Sequence, residues 1–149
     1  MFCLPGPVES LEELNCAGCD HFDDKRICMF KNLKVLDCSF CENLYDISHL
    51  SNSLEKLNCC GGNLTQEKIM RFSKLKHLYC YKNYNIKKVD HLADTLEALC
   101  CNNCISQKNI SKLRKLKYLD CKDNTDIYDV SMFSETLVSL SGQPCTCMC

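Results

Sequence analysis

The sequence predicts an α/β solenoid, one domain of short parallel strands alternating with small helical or irregular segments. Three observations predict it. Six segments share the pattern L-x-x-L-x-C, starting at Leu11, Leu33, Leu54, Leu75, Leu96 and Leu116; a seventh, from Leu137, keeps both leucines and ends in Gly142. Their leading leucines are 22, 21, 21, 21, 20 and 21 residues apart, a ladder that chance does not produce. The stretches between them alternate between two designs, so the full period is a pair of units of about 42 residues.

Each strand follows from its spacing. Leu11, Leu14 and Cys16 point to one side of a short strand, and that face cannot be buried until neighbouring units stack on it. Odd units continue into helix-like stretches. There Asp23, Thr65 or Ser106 stands as an N-cap before apolar residues three apart: Ile27 and Phe30, Ile69 and Phe72, Ile110 and Leu113. Even units carry Leu44, Ile47 and Leu50; Ile86, Val89 and Leu92; Ile127, Val130 and Phe133, a pattern suited to an irregular or 3₁₀ back face. Residues Val8 to Ser10 echo the segment before later repeats, so residues 1–10 read as a partial amino-terminal unit. Residues 11–142 read as the repeat domain, and 143–149 as a Cys-rich tail.

Three positions after the third apolar residue stand Cys19, Cys41, Asn83, Cys104 and Asn124, with Gly62 as the exception. With that ladder, the pattern resembles the leucine-rich-repeat family signature L-x-x-L-x-L-x-x-N/C-x-L, here with cysteine at the third apolar position. The resemblance covers Leu11 to Gly142. It implies a curved right-handed solenoid, with strands on the concave face and the alternating helical and 3₁₀ segments on the convex face. Short cysteine-bearing repeats of alternating design, without flanking caps, are similar to leucine-rich-repeat proteins of amoebae and of marseillevirus-like giant DNA viruses. That likeness implies host cytoplasm or a virion.

Composition narrows the partners. A formal net charge of −1 offers no basic excess for nucleic acid or an acidic membrane. No apolar run approaches the roughly 18 residues of a membrane span. The opening MFCLPGPVES lacks the basic and apolar regions of a signal peptide, which predicts a cytoplasmic chain with reduced thiols.

Sixteen cysteines would otherwise suggest disulfides or metal. Cys16-x-x-Cys19 and Cys38-x-x-Cys41 have structural-zinc spacing. The repeat accounts for all four positions, so no metal, cofactor or native disulfide is expected. Cys16, Cys38, Cys59, Cys80, Cys101 and Cys121 read as small buried hydrophobes. Cys60 and Cys100 should face solvent, with His77 the one histidine on that face; no third orienting group completes a thiol catalyst, and no catalytic residue is assigned. His49 and His91, one repeat pair apart, read as structural. The terminal Cys147-x-Cys149 resembles a double-prenylation ending, but C-a-a-X fails because Thr146 stands in the cysteine's place. A tail without modification is the simpler reading.

The outward columns remain. Glu12, Lys34, Glu55, Lys76, Glu97 and Lys117 alternate in sign and predict a cross-strand charge ladder. Val35, Phe40, His77, Tyr79, Tyr81 and Tyr118 form an aromatic band near the middle, the composition a protein-binding hot spot requires. The expected function is a non-enzymatic scaffold that binds an unidentified protein on the concave strand face. The alternatives are a structural component of a larger assembly, joined through its tail or through uncapped ends that permit a homodimer, and a thiol- or metal-binding protein.

Overall fold

The computed structural model of the chain describes residues 8–101 and 105–142. Residues 1–7 of the amino-terminal unit, the ladder position Cys104 with Asn102 and Asn103, and the tail 143–149 lie outside the described residues.

Seven strands form one parallel sheet in chain order: β1 (Glu13–Asn15), β2 (Val35–Asp37), β3 (Lys56–Asn58), β4 (His77–Tyr79), β5 (Ala98–Cys100), β6 (Tyr118–Asp120) and β7 (Ser139–Ser141). Each repeat supplies one strand. Register follows the repeat, so Leu14, Leu36, Leu57, Leu78, Leu99, Leu119 and Leu140 pair in one continuous column. A slip of one residue would turn that column to solvent, which is why the register is single-valued.

Odd units carry four-residue helices, α1 (Asp24–Ile27), α2 (Gln66–Ile69) and α3 (Gln107–Ile110). Even units carry 3₁₀ turns at Ser48–Leu50, Asp90–Leu92 and Ser131–Phe133, and a fourth lies at Val8–Ser10. Helices this short have no stability of their own. Burial holds them: Ile27, Phe30, Ile69, Phe72, Ile110 and Leu113 all lie in the core. The three N-cap residues are extended as expected, but only the Asp23 carboxylate accepts from the helix, at 2.9 Å from the Arg26 amide.

A different side chain ties each helix to the unit that follows. Asp24 Oδ1 accepts the amides of Tyr45 and Asp46 at 2.8 and 3.0 Å. Gln66 Oε1 accepts those of Lys87 and Lys88 at 2.7 and 2.8 Å, and Gln107 Oε1 those of Tyr128 and Asp129 at 3.1 and 3.0 Å. The two glutamines also donate forward, to Lys88 O and Asp129 O. The device recurs once per pair of units and satisfies backbone groups that no helix or strand reaches.

The core is one cluster running along the solenoid. Cys16, Cys38, Cys59, Cys80, Cys101 and Cys121 are all buried. Five of these thiols lie 3.3–3.7 Å from a carbonyl of the next strand and donate weakly to it. The ladder residues bond the preceding unit: Cys41 Sγ reaches Cys16 O at 3.0 Å, Asn83 Nδ2 reaches Cys59 O at 3.4 Å, and Asn124 Nδ2 reaches Ile105 O at 2.8 Å. Cys19 is exposed, and among the described residues no strand precedes β1 for it to bond.

Two residues after Cys16, Cys38, Cys59, Cys80 and Cys121 the chain turns through left-handed backbone. Gly18, Phe40, Gly61, Lys82 and Asp123 all have φ between 58° and 66°. Two glycines meet this demand freely; a bulky side chain such as that of Phe40 does so at a cost of about 1 kcal/mol.

Candidate protein-binding face

Because the strands are three residues long, two side chains per strand project outward, and the parallel register aligns them in rows. An open groove of about 610 Å³ runs across β1 to β4. Its outward lining is Glu13 and Asn15 from β1, Val35 and Asp37 from β2, Lys56 and Asn58 from β3, and Tyr79 from β4.

Hydrogen bonds hold Asn15, Asp37 and Asn58 of this lining in place. Asp37 Oδ1 accepts the Ser39 amide at 3.0 Å and its hydroxyl at 2.7 Å, while Oδ2 accepts Asn58 Nδ2 at 3.0 Å. Asn15, Asn58 and Asp120 likewise accept the amide two residues on. These are Asx turns, and they close the strand ends. Lys56 Nζ lies 5.8 Å from the centre of the Tyr79 ring, within cation–π reach.

The expected aromatic band divides into separate places. Val35 and Tyr79 share the groove. His77 lies in a smaller neighbouring depression of about 280 Å³ with Val35, Lys56 and the charged residues Glu12, Lys34, Glu55 and Lys76. Burial, then the Lys56 charge, pushes its imidazole below the ordinary histidine value. Tyr118 is exposed two strands beyond β4, separated by Ala98. Tyr81 turns away along the rim, donating from its hydroxyl to Asp123 Oδ2 at 2.9 Å. Phe40 stands on the same rim with 57% of its surface exposed, its ring over Gly61.

The alternating charges form three clasps. Lys34 meets Glu12, Lys76 meets Glu55 and Lys117 meets Glu97, each at 2.7 Å. Each lysine reaches back to the preceding odd unit; among the described residues no ion pair joins Lys34 to Glu55 or Lys76 to Glu97. Hydrogen bonding to these lysines holds the Glu55 and Glu97 carboxyls below the usual carboxylate range.

Glu13, Asn15, Lys56, Asp37 and Asn58 fall in the outward columns of the sequence, but only the aromatic and apolar members of those columns stand out there as binding residues. The parallel register is what gathers them into one groove. Tyr45, Tyr84 and Tyr128 are exposed as well.

The two half-buried thiols of the strand face, Cys60 and Cys100, are raised in pKa. Burial, then the Asp120 charge, pushes Cys100 up to about 12, and burial also raises Cys60. Neither is a ready nucleophile. In the zinc-spaced set, Cys16, Cys38 and Cys41 are buried against backbone carbonyls while Cys19 faces solvent. Among the described residues no three His, Cys, Asp or Glu side chains are placed to hold a metal, and no helix is long and apolar enough to cross a membrane.

One parallel strand per 21-residue unit, with buried leucine and Cys/Asn ladders, fits the leucine-rich-repeat class. Among solved structures, the chain is similar to internalin C2 from Listeria monocytogenes str. 4b F2365, at 17% identity and a TM-score of 0.46, covering 91% of this chain and 82% of that one. No family model matches the chain, and no curated protein matches it.

Proposed function

We propose that the chain is a non-enzymatic scaffold that binds a partner protein on its strand face. The observation that carries this reading is the groove over β1 to β4, with Tyr79 and Val35 as apolar contacts between preorganised polar groups. Recognition surfaces combine an aromatic anchor with fixed hydrogen-bonding groups. Phe40 supports the reading from the rim, since an exposed phenylalanine in left-handed backbone is strained for no gain in the core. His77, Tyr81 and Tyr118 extend the surface beyond the groove. The partner is a protein of the cell interior, and the cytoplasm, of an amoebal host or of the source cell, is where reduced thiols fit the structure. The virus-like resemblance belongs to this same reading.

Affinity capture from source-cell lysate under reducing conditions tests it. A protein retained by the wild type and lost with Val35→Arg, Tyr79→Ala, but retained by the back-face variant Tyr45→Ala, Tyr128→Ala, supports the strand face. The reverse pattern overturns it. A second reading, a structural component of a larger assembly, is favoured by exposed Val138 and the partly covered Leu137 and Leu140 of the last unit.

A further inference from the structure

The seventh unit departs from the other six column by column. Where the charge column has Glu12, Lys34, Glu55, Lys76, Glu97 and Lys117, it has Val138, which is 71% exposed. The sixth unit beside it has exposed Met132 where the second and fourth have His49 and His91, which bond the Phe30 and Ile69 carbonyls. The core leucines of the seventh unit, Leu137 and Leu140, are only partly covered. Residues 137–142, Leu-Val-Ser-Leu-Ser-Gly, carry no charge.

An uncharged edge strand beside exposed apolar side chains is what monomeric sheet proteins avoid. The opposite edge follows the protective rule, since β1 carries Glu13 beside the Glu12–Lys34 clasp.

The backbone of β7 is polarised by its pairing. Ser139 N–H donates to Lys117 O at 3.1 Å, and Ser141 O accepts from the Cys121 amide at 3.0 Å. Strand alternation then turns the N–H and C=O of Leu140 to the open side, together with the C=O of Val138 and the N–H of Gly142. The sequence of β7, Ser-Leu-Ser, reads the same in both directions about Leu140.

We propose that this edge is a homodimer interface in which β7 pairs antiparallel with β7 of a second copy, the twofold axis passing through Leu140. In that register the two Leu140 residues exchange both N–H···O bonds as a hydrogen-bonded pair. The flanking Val138 carbonyls and Gly142 amides close the next rung. Ser139 lies opposite Ser141 of the second copy, two small hydroxyls on the outer face, and the central leucine column continues from one chain into the other. The result is one continuous sheet with both charged β1 edges outermost, an isologous and closed arrangement. Self-complementarity selects a second copy over an unrelated protein: nothing on β7 is charged, and its side chains match themselves in reverse. The proposal stands apart from the strand-face reading, because the edge and the groove are at opposite ends of the sheet.

Sedimentation of the full chain under reducing conditions, across about a hundredfold range of concentration, tests it. The wild type is expected at twice the 17.1 kDa chain mass, dissociating on dilution. Ser139→Lys with Ser141→Lys sets lysine against lysine across the axis and should give a monomer with an unchanged circular dichroism spectrum. Both positions are exposed, so the fold tolerates the change. Ser139→Lys with Ser141→Glu sets opposite charges against each other at both rungs and should restore the dimer. A monomeric wild type, a dimer indifferent to the double lysine variant, failure of the opposite-charge variant to restore it, or species growing beyond the dimer would each overturn the proposal.

Discussion

The ring of Phe40 lies directly over the α-carbon of Gly61, so that a β-carbon added there would stand 2.5 Å from Cδ1 and 2.6 Å from Cε1. Both residues have left-handed backbone, φ 58° and 61°. Gly61→Ala should therefore destabilise the chain by about 1–2 kcal/mol from backbone strain alone, with displacement of the ring in addition. Phe40→Asn separates two roles for the ring. Asparagine accepts this conformation more readily than phenylalanine, so the melting temperature should hold or rise while partner capture falls. A large loss of stability would make the ring a packing element.

Gly62 occupies the ladder position that Cys41, Asn83 and Asn124 fill in other units. The atoms nearest a β-carbon there would be backbone carbonyl oxygens, Cys59 O at 3.4 Å, Cys38 O at 3.7 Å and Cys41 O at 3.8 Å. Gly62→Asn can donate into this group as Asn83 does to Cys59 O. One recovered hydrogen bond and a less flexible unfolded chain should add about 1 kcal/mol. Chemical denaturation with an unchanged slope is the measurement, and a lower midpoint would mean the hollow is too tight.

Gln107 binds two amides and one carbonyl of the following unit. Gln107→Leu strands these groups and should cost about 1–3 kcal/mol. Gln107→Glu keeps the acceptor but faces the Asp129 carbonyl without a donor, so its loss should be intermediate and smaller at low pH. Equal melting of all three forms would show that water replaces the side chain.

Burial is the main influence on His91 and holds its imidazole below the ordinary histidine value, against the opposing Ile69 carbonyl and Asp90. Its Nδ1 is buried without a partner. The unfolded chain thus binds the proton first, at about pH 6.5, and the folded chain only at lower pH. Stability should be complete above that pH and decline as pH falls below it toward the folded value. His91→Gln should flatten this part of the melting profile; an unchanged slope would assign the dependence to other groups.

Much of this fold is legible in the sequence because one spacing determines several things at once. The Leu14-to-Leu140 column and the buried cysteines follow from the 21-residue spacing, and the alternation of α1, α2 and α3 with 3₁₀ turns follows from the paired period of about 42 residues. Side-chain choices that depend on facing backbone were not legible. Thr65 and Ser106 occupy cap positions without capping, and the stitch instead comes from Asp24, Gln66 and Gln107, whose partners are 21 or 22 residues away. The candidate site was readable as columns but not as a cavity. Tyr79 and Tyr81 are two residues apart, yet one faces the groove and the other Asp123 on the rim, because β4 ends at Tyr79 and Tyr81 already lies in the turn that follows.

The most direct test of strand-face binding is site-specific photo-crosslinking in source-cell lysate. A photoreactive phenylalanine analogue is placed at Phe40, at Val35 or at Tyr128. The account predicts one shared crosslinked protein from Phe40 and Val35, and none of it from Tyr128, which is 62% exposed on the back of the sixth unit. The same protein crosslinked from Tyr128 but from neither Phe40 nor Val35 would contradict it.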